Sequence, residues 1–326
     1  MKMFAYNVRE DEEAFFRQYA QTYGIELEIS PGPPDEKSAW LAKGCDCVSV
    51  ITTAITADIL DVWNACNVRC ISTRTIGFDH IDCKYARELG MAISNVAYSS
   101  ASVADYTVML ALMACRKMNI ILKRFIGQDY SLKGVRGREL HNMTVGVVGT
   151  GKIGEAVIER LRGFGCSILA YDILEKESLR EKADYVSFEE LLSRSDLITF
   201  HAPATEHSYH MIHRGNIDTL KEGVILVNTA RGTIIETEAL LQGLESGRIG
   251  GAALDVVENE MGIYYKDFKD TVIGHREMAI LSAMPNVIMT PHTAFFTDQA
   301  VSDMVENSIK SCVLEYNGET NPWKVI

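Results

Sequence analysis

The run TVGVVGTGKIGEAVIERL, residues 144–161, restricts this chain more than any other stretch. An apolar, strand-like segment turns at Gly149. Gly151 and Gly154 follow at G-x-G-x-x-G spacing, and an amphipathic helix starts there. A second strand-like run, CSILAYD, then ends in Asp172. Three glycines alone are a weak signal. Placed between a strand and a helix, with an acidic residue about 20 positions on, they form the context of a dinucleotide-binding turn. Gly149 permits the tight turn, Gly151 lets the backbone approach a pyrophosphate, and Gly154 brings helix and strand together. Free N–H groups at the helix start attract the phosphates. Thr150, Lys152 and Ile153 complete the turn. Asp172 can accept hydrogen bonds from a ribose hydroxyl and would repel a 2′-phosphate. No arginine follows it in DILEKE, so NAD is expected rather than NADP.

Strand-like and helix-like runs alternate on both sides of this turn, a rhythm that implies parallel sheets covered by helices. Before it come MFAYN, a helix from about Asp11 to Tyr23, CDCVSVI, TADILDVWNAC with a threonine cap, VRCIST, a helix closed by Gly90, and MAISNV. A long helix is expected over about 101–125. The second series reads TVGVVG, SILAYD, DLITFHAP, VILVNTARG, GGAALDV and NVIMTPHT, apolar enough to be buried on both faces. A last helix, about 298–316, shows an apolar stripe through Val301, Met304, Val305, Ile309, Cys312 and Val313. A chain of 326 residues is too long for one small core, and the break falls near residue 100.

Composition narrows the function. A net charge of −12 argues against nucleic acid, whose phosphates need a basic face. The most apolar run, VMLALMAC, is too short to span a bilayer and meets Arg116-Lys117, so no membrane partner is expected. The opening segment turns acidic where a secretory signal needs an apolar core, and a cytoplasmic location is expected. Eight cysteines are scattered without a CxxC. Cys66 and Cys70, or His80 and Cys83, could imitate half a zinc site, but reduced, buried thiols are the expectation, with no metal. His207, His210 and His213 recur every three residues, read as a surface helix or loop.

Three ionisable residues stand just past strand-like runs of the nucleotide half: Arg231 after VILVNTA, Glu260 after GGAALDVVEN, and His292 after NVIMTP. Strand ends of an open α/β sheet face the crevice where ligands bind. Carbonyl reduction needs such a set: a cation to bind and polarise the substrate, an acid to protonate the oxygen, and a carboxylate to keep that acid protonated. Proline before His292 stops the strand so that the imidazole can project.

The chain resembles the D-specific 2-hydroxyacid dehydrogenases along nearly its whole length. The resemblance rests on GVVGTGKIG, VNTARG, AALDVVENE, TPHTAF, STRTIGFDHID and VAYSSASVADYT, and is strongest to the D-lactate dehydrogenase branch. It implies an α/β fold of two doubly wound parallel-sheet domains. A Rossmann NAD-binding domain, 101–298, is inserted into a flavodoxin-like substrate domain, 1–100 plus 299–326. It also implies roles. Arg231 would bind the keto acid, His292 would be the acid/base and Glu260 its partner. Asp255 would meet the nicotinamide side. Backbone at Ile76 and Gly77 would hold the carboxylate, and Tyr98 would close the pocket. Val103, His201, Ala202, Pro203, Thr229 and Ala230 would line the cofactor. Phe295 adds apolar surface for the substrate, and the helix after residue 100 would serve a homodimer.

The loop expected to face the substrate side chain, ITTAIT at 51–56, carries no arginine or lysine, which disfavours a second carboxylate. Pyruvate is the first expectation, and a bulkier apolar acid such as phenylpyruvate or 2-ketoisocaproate the second. The reading from another class is an NAD-sensing, corepressor-like binding protein. A methyltransferase would leave Arg231, Glu260 and His292 unexplained.

Overall fold

The computed structural model describes residues 1–326, and the chain divides into two compact units, 1–99 with 296–326, and 100–295. The first unit holds β1 (Lys2–Ala5), α1 (Glu10–Tyr23), β2 (Glu26–Ile29), β3 (Cys47–Val50), α2 (Ala57–Ala65), β4 (Cys70–Thr73), α3 (Cys83–Glu88), β5 (Ala92–Ser94) and the closing helix α10 (Asp298–Asn317). Its sheet is parallel, in the order β2-β1-β3-β4-β5, the flavodoxin-like arrangement. Local chemistry sets the helix ends. At α1 the Glu12 carboxylate accepts from the Arg9 backbone N–H at 3.0 Å, four acidic residues line the first turn, and Gly24 closes the helix at φ +63°. Thr56 occupies the cap position of α2, but its side chain makes no capping bond, contrary to expectation.

The second unit holds α4 (Ser100–Cys115), α5 (Met118–Ile126), β6 (Thr144–Val148), α6 (Lys152–Arg162), β7 (Ser167–Tyr171), β8 (Asp184–Tyr185), α7 (Phe188–Arg194), β9 (Leu197–Phe200), β10 (Val224–Asn228), α8 (Thr237–Ser246), β11 (Ile249–Leu254), α9 (Arg276–Ala283) and β12 (Val287–Met289). The order β12-β11-β10-β9-β6-β7-β8 is doubly wound and all parallel, reversing direction at β6. One core lies on each face of this sheet.

Three details differ from the sequence reading. The expected helix over 101–125 is two helices, because Lys117 adopts a left-handed φ of +54° and stops α4. The strand β2 was not anticipated: in ELEI, Glu26 and Glu28 are the more exposed residues, and Lys2 Nζ bridges them at 3.2 and 2.7 Å. The loop 51–56 therefore follows the third strand of this sheet. No helix is long and apolar enough to cross a membrane.

Candidate active site

The fingerprint turn is built as its glycines require. Gly149 has φ +90°, and a Cβ there would stand 2.7 Å from the His201 carbonyl carbon. A Cβ at Gly154 would fall 1.9 Å from the Gly149 oxygen. Gly151 is different: its φ is −60°, and an added Cβ would meet nothing within 4 Å. Neither backbone strain nor a protein neighbour demands glycine there, which leaves close approach of a ligand. The first-turn N–H groups of α6 have no intrahelical acceptors and lie beside it.

Asp172, just past β7, is partly engaged by the turn itself. Its Oδ2 accepts from the Thr150 N–H at 2.5 Å and from Thr150 Oγ1 at 3.0 Å, and its Oδ1 accepts from the Leu174 N–H at 3.0 Å. Tyr185 donates to Thr150 Oγ1 at 2.9 Å. A carboxylate has about four lone-pair sites, so capacity for a ribose hydroxyl remains. Lys152 and Ile153 open α6. His201, after β9 and against this turn, is half-buried, and burial pushes its pKa down to about 3, which keeps it neutral. Its Nε2 meets Thr199 Oγ1 at 3.0 Å, while its buried Nδ1 has no partner. That orphan nitrogen, the bare Gly151 and the open helix end all fit a bound NAD. Ala202 and Pro203 continue from His201. Thr229 Oγ1 meets Thr107 Oγ1 of α4 at 2.8 Å, one turn on from buried Val103, and the Ala230 N–H donates to Asn228 Oδ1 at 3.0 Å.

The three ionisable groups stand past adjacent strands. The parallel register of β10, β11 and β12 places Asn228 beside Leu254 and Leu254 beside Met289, so their following loops leave the same sheet edge. His292 Nδ1 meets Glu260 Oε1 at 2.5 Å. Glu260 Oε2 accepts from the Val257 N–H at 2.8 Å, which fixes the carboxylate. Arg231 donates from Nη1 to the Ala230 oxygen at 2.8 Å, and its own carbonyl accepts from Asn228 Nδ2 at 2.8 Å. The next residue, Gly232, touches the loop that carries Glu260: a Cβ there would lie 2.1 Å from the Val257 carbonyl carbon.

His292 takes φ +53°, uncommon for a side chain with a Cβ. Its conformation is held by several bonds. The His292 N–H donates to the Asp255 oxygen at 2.8 Å, and Tyr265 donates its hydroxyl to the His292 oxygen at 2.8 Å. Asp255 is fully buried. Its Oδ1 accepts from Thr290 Oγ1 at 2.6 Å and the Thr293 N–H at 2.9 Å, and its Oδ2 accepts from the Ala294 N–H at 2.9 Å. The carboxylate expected at the nicotinamide thus clamps the turn that displays His292.

Other placements were not legible. Tyr264 lies near Glu260 and Asp255 with a buried, unpartnered hydroxyl, and burial raises its pKa, helped by those two carboxylates. His210 is not one of three equivalent surface histidines: its Nε2 meets Glu258 Oε1 at 2.7 Å, while Glu258 Oε2 accepts from the Thr237 N–H at 2.7 Å and hydroxyl at 2.6 Å.

In the first unit, the segment after β4 is anchored by Arg74. The guanidinium is fully buried and donates to Glu12 Oε1, Ser49 Oγ and the Tyr6 oxygen, each at 2.9 Å. The carbonyls of Ile76 and Gly77 accept from Asn95 Nδ2 at 2.7 Å and Thr75 Oγ1 at 2.6 Å, which holds the backbone of this segment. Tyr98 and Phe295 are half-buried.

Two doubly wound sheets, a glycine turn shaped for a dinucleotide and a histidine–carboxylate pair past neighbouring strands define a nicotinamide-dependent oxidoreductase. A family model for the D-isomer specific 2-hydroxyacid dehydrogenase NAD-binding domain matches residues 108–294. The chain is 43% identical, over 94% of its length and 95% of the relative's, to a D-specific alpha-keto acid dehydrogenase of Enterococcus faecium. It is 42% identical, over 94% and 93%, to an aromatic 2-oxoacid reductase of Clostridium sporogenes. The crystal structure of a Treponema pallidum D-lactate dehydrogenase superposes with a TM-score of 0.89 at 34% identity, covering 100% of both chains. The chain belongs to the D-isomer specific 2-hydroxyacid dehydrogenases, and is an NAD-dependent oxidoreductase of the D-lactate dehydrogenase type.

Proposed function

We infer that the protein catalyses reversible reduction of an apolar 2-keto acid to the D-2-hydroxy acid, with pyruvate as the first substrate. The observation that carries this reading is the 2.5 Å contact of His292 Nδ1 with Glu260, in a loop whose backbone is clamped on both sides. Bound NADH supplies the hydride. Arg231 binds the substrate carboxylate and carbonyl oxygen. His292, oriented by Glu260, gives its Nε2 proton to that oxygen, and takes it back in the oxidative direction. Ile76 and Gly77 N–H groups hold the carboxylate, and Tyr98 and Phe295 shape the space around the side chain. Asp172, His201 to Pro203, Thr229, Ala230 and Val103 line the cofactor. The enzyme works in the cytoplasm as a homodimer.

A second reading, an aromatic or branched 2-keto acid, is favoured by the similarity to the Clostridium sporogenes reductase and by the uncharged loop 51–56. Pocket size discriminates by only about 1–3 kcal/mol per methylene, so assay must separate the two. NADH oxidation over pyruvate, phenylpyruvate, 2-ketoisocaproate and 2-ketoglutarate, with chiral analysis, should show D-product and little use of 2-ketoglutarate. His292→Gln should lower turnover roughly 10²–10⁴-fold with NADH binding intact. Near-normal turnover in that variant would refute the assignment. No turnover on any acid by the unaltered protein, with tight NADH binding, would favour an NAD-sensing role.

A further inference from the structure

Three thiols meet inside the first unit. Cys47 of β3 lies opposite Cys70 of β4 in the parallel register, and α10 brings Cys312 onto the same face. Their Sγ atoms all lie within 4.8 Å of one another, and no disulfide joins them. They are 1%, 3% and 1% exposed. The thioether of Met1 adds a fourth sulfur, its Sδ 3.6 Å from Cys47 Sγ. They share a core cluster with Met3, Ala5, Val8, Phe16, Val305 and Ile309, and buried Ser49, Ser72 and Ser311 stand near them in sequence.

We propose that Cys47, Cys70 and Cys312 form a binding site for a soft monovalent metal cation, of which Cu(I) is the representative. Thiolate and thioether ligands select such ions. Bonds of about 2.3 Å from one ion to three sulfurs spread those sulfurs about 4 Å apart, which the cluster accommodates. Each sulfur contributes a lone pair, no electron is transferred, and any displaced thiol proton passes to buffer. The site is independent of the dehydrogenase reading.

The test is anaerobic titration of the full chain with Cu(I) against bathocuproine disulfonate, followed by X-ray absorption. The expected result is about one tightly held ion with three sulfur neighbours at about 2.3 Å. Cys312→Ala should abolish competitive binding while an unchanged calorimetric transition of the first unit reports an intact fold, and a Cys83→Ser/Cys166→Ser variant should bind as before. Failure to compete with the chelator, two sulfur neighbours instead of three, or undiminished binding by a folded Cys312→Ala variant would each overturn the proposal. Should that variant not fold, the sulfur count on the unaltered chain decides.

Discussion

His292 shows how a single residue is made useful by its neighbours. Its left-handed backbone at a strand end presents the imidazole to Glu260, and Asp255 holds the surrounding turn through three acceptor contacts. Such strain persists only where surrounding bonds over-determine it. His201 carries a different consequence. Its folded pKa of about 3 lies well below the ordinary histidine value of about 6.5. A depressed folded pKa means the unfolded chain takes up a proton first as pH falls. The associated stability is whole above about pH 6.5 and is lost below it, at about 1.4 kcal/mol per pH unit between roughly pH 6 and 4. Urea midpoints at pH 7, 6 and 5 should fall more steeply for the unaltered protein than for His201→Asn. Equal slopes would show that the folded protein protonates His201 readily.

At the scale of elements, the turn between β6 and α6 separates packing glycines from a ligand-facing one. Gly154→Ala must displace the Gly149 carbonyl, 1.9 Å from the new Cβ, and should cost about 1–3 kcal/mol in urea unfolding. Gly151→Ala meets no protein atom and should leave stability within about 0.5 kcal/mol, while weakening NADH binding by about tenfold or more in a fluorescence titration. Unchanged NADH affinity in Gly151→Ala would mean that the cofactor does not approach there. This turn was legible because strand, glycines and helix lie within a few residues. β2 and β8 were not: four and two residues are too few for a period to declare itself. The break between α4 and α5 was hidden too, because Lys117 carries no glycine or proline signal at its left-handed position.

For the molecule as a whole, each unit has its own core, so damage to one should be separable from the other. The buried Arg74–Glu12 pair is the sharpest case, since removing one partner strands a buried charge. Arg74→Ala should destabilise the first unit by about 3–5 kcal/mol, giving a new early transition in calorimetry while NADH binding survives. A single transition, with both signals lost together, would contradict separable units. By itself the amino-acid order determined what depends on near neighbours: the alternation of strands and helices, the glycine turn, and a histidine, a glutamate and an arginine each placed just past an apolar run. Only tertiary structure decided that Asp255 serves the turn, that His210 pairs with Glu258 and that three distant cysteines converge. The reason is physical: hydrophobic periodicity is a one-dimensional signal, whereas a hydrogen bond between residues far apart depends on strand order and register, which emerge only when the sheets assemble.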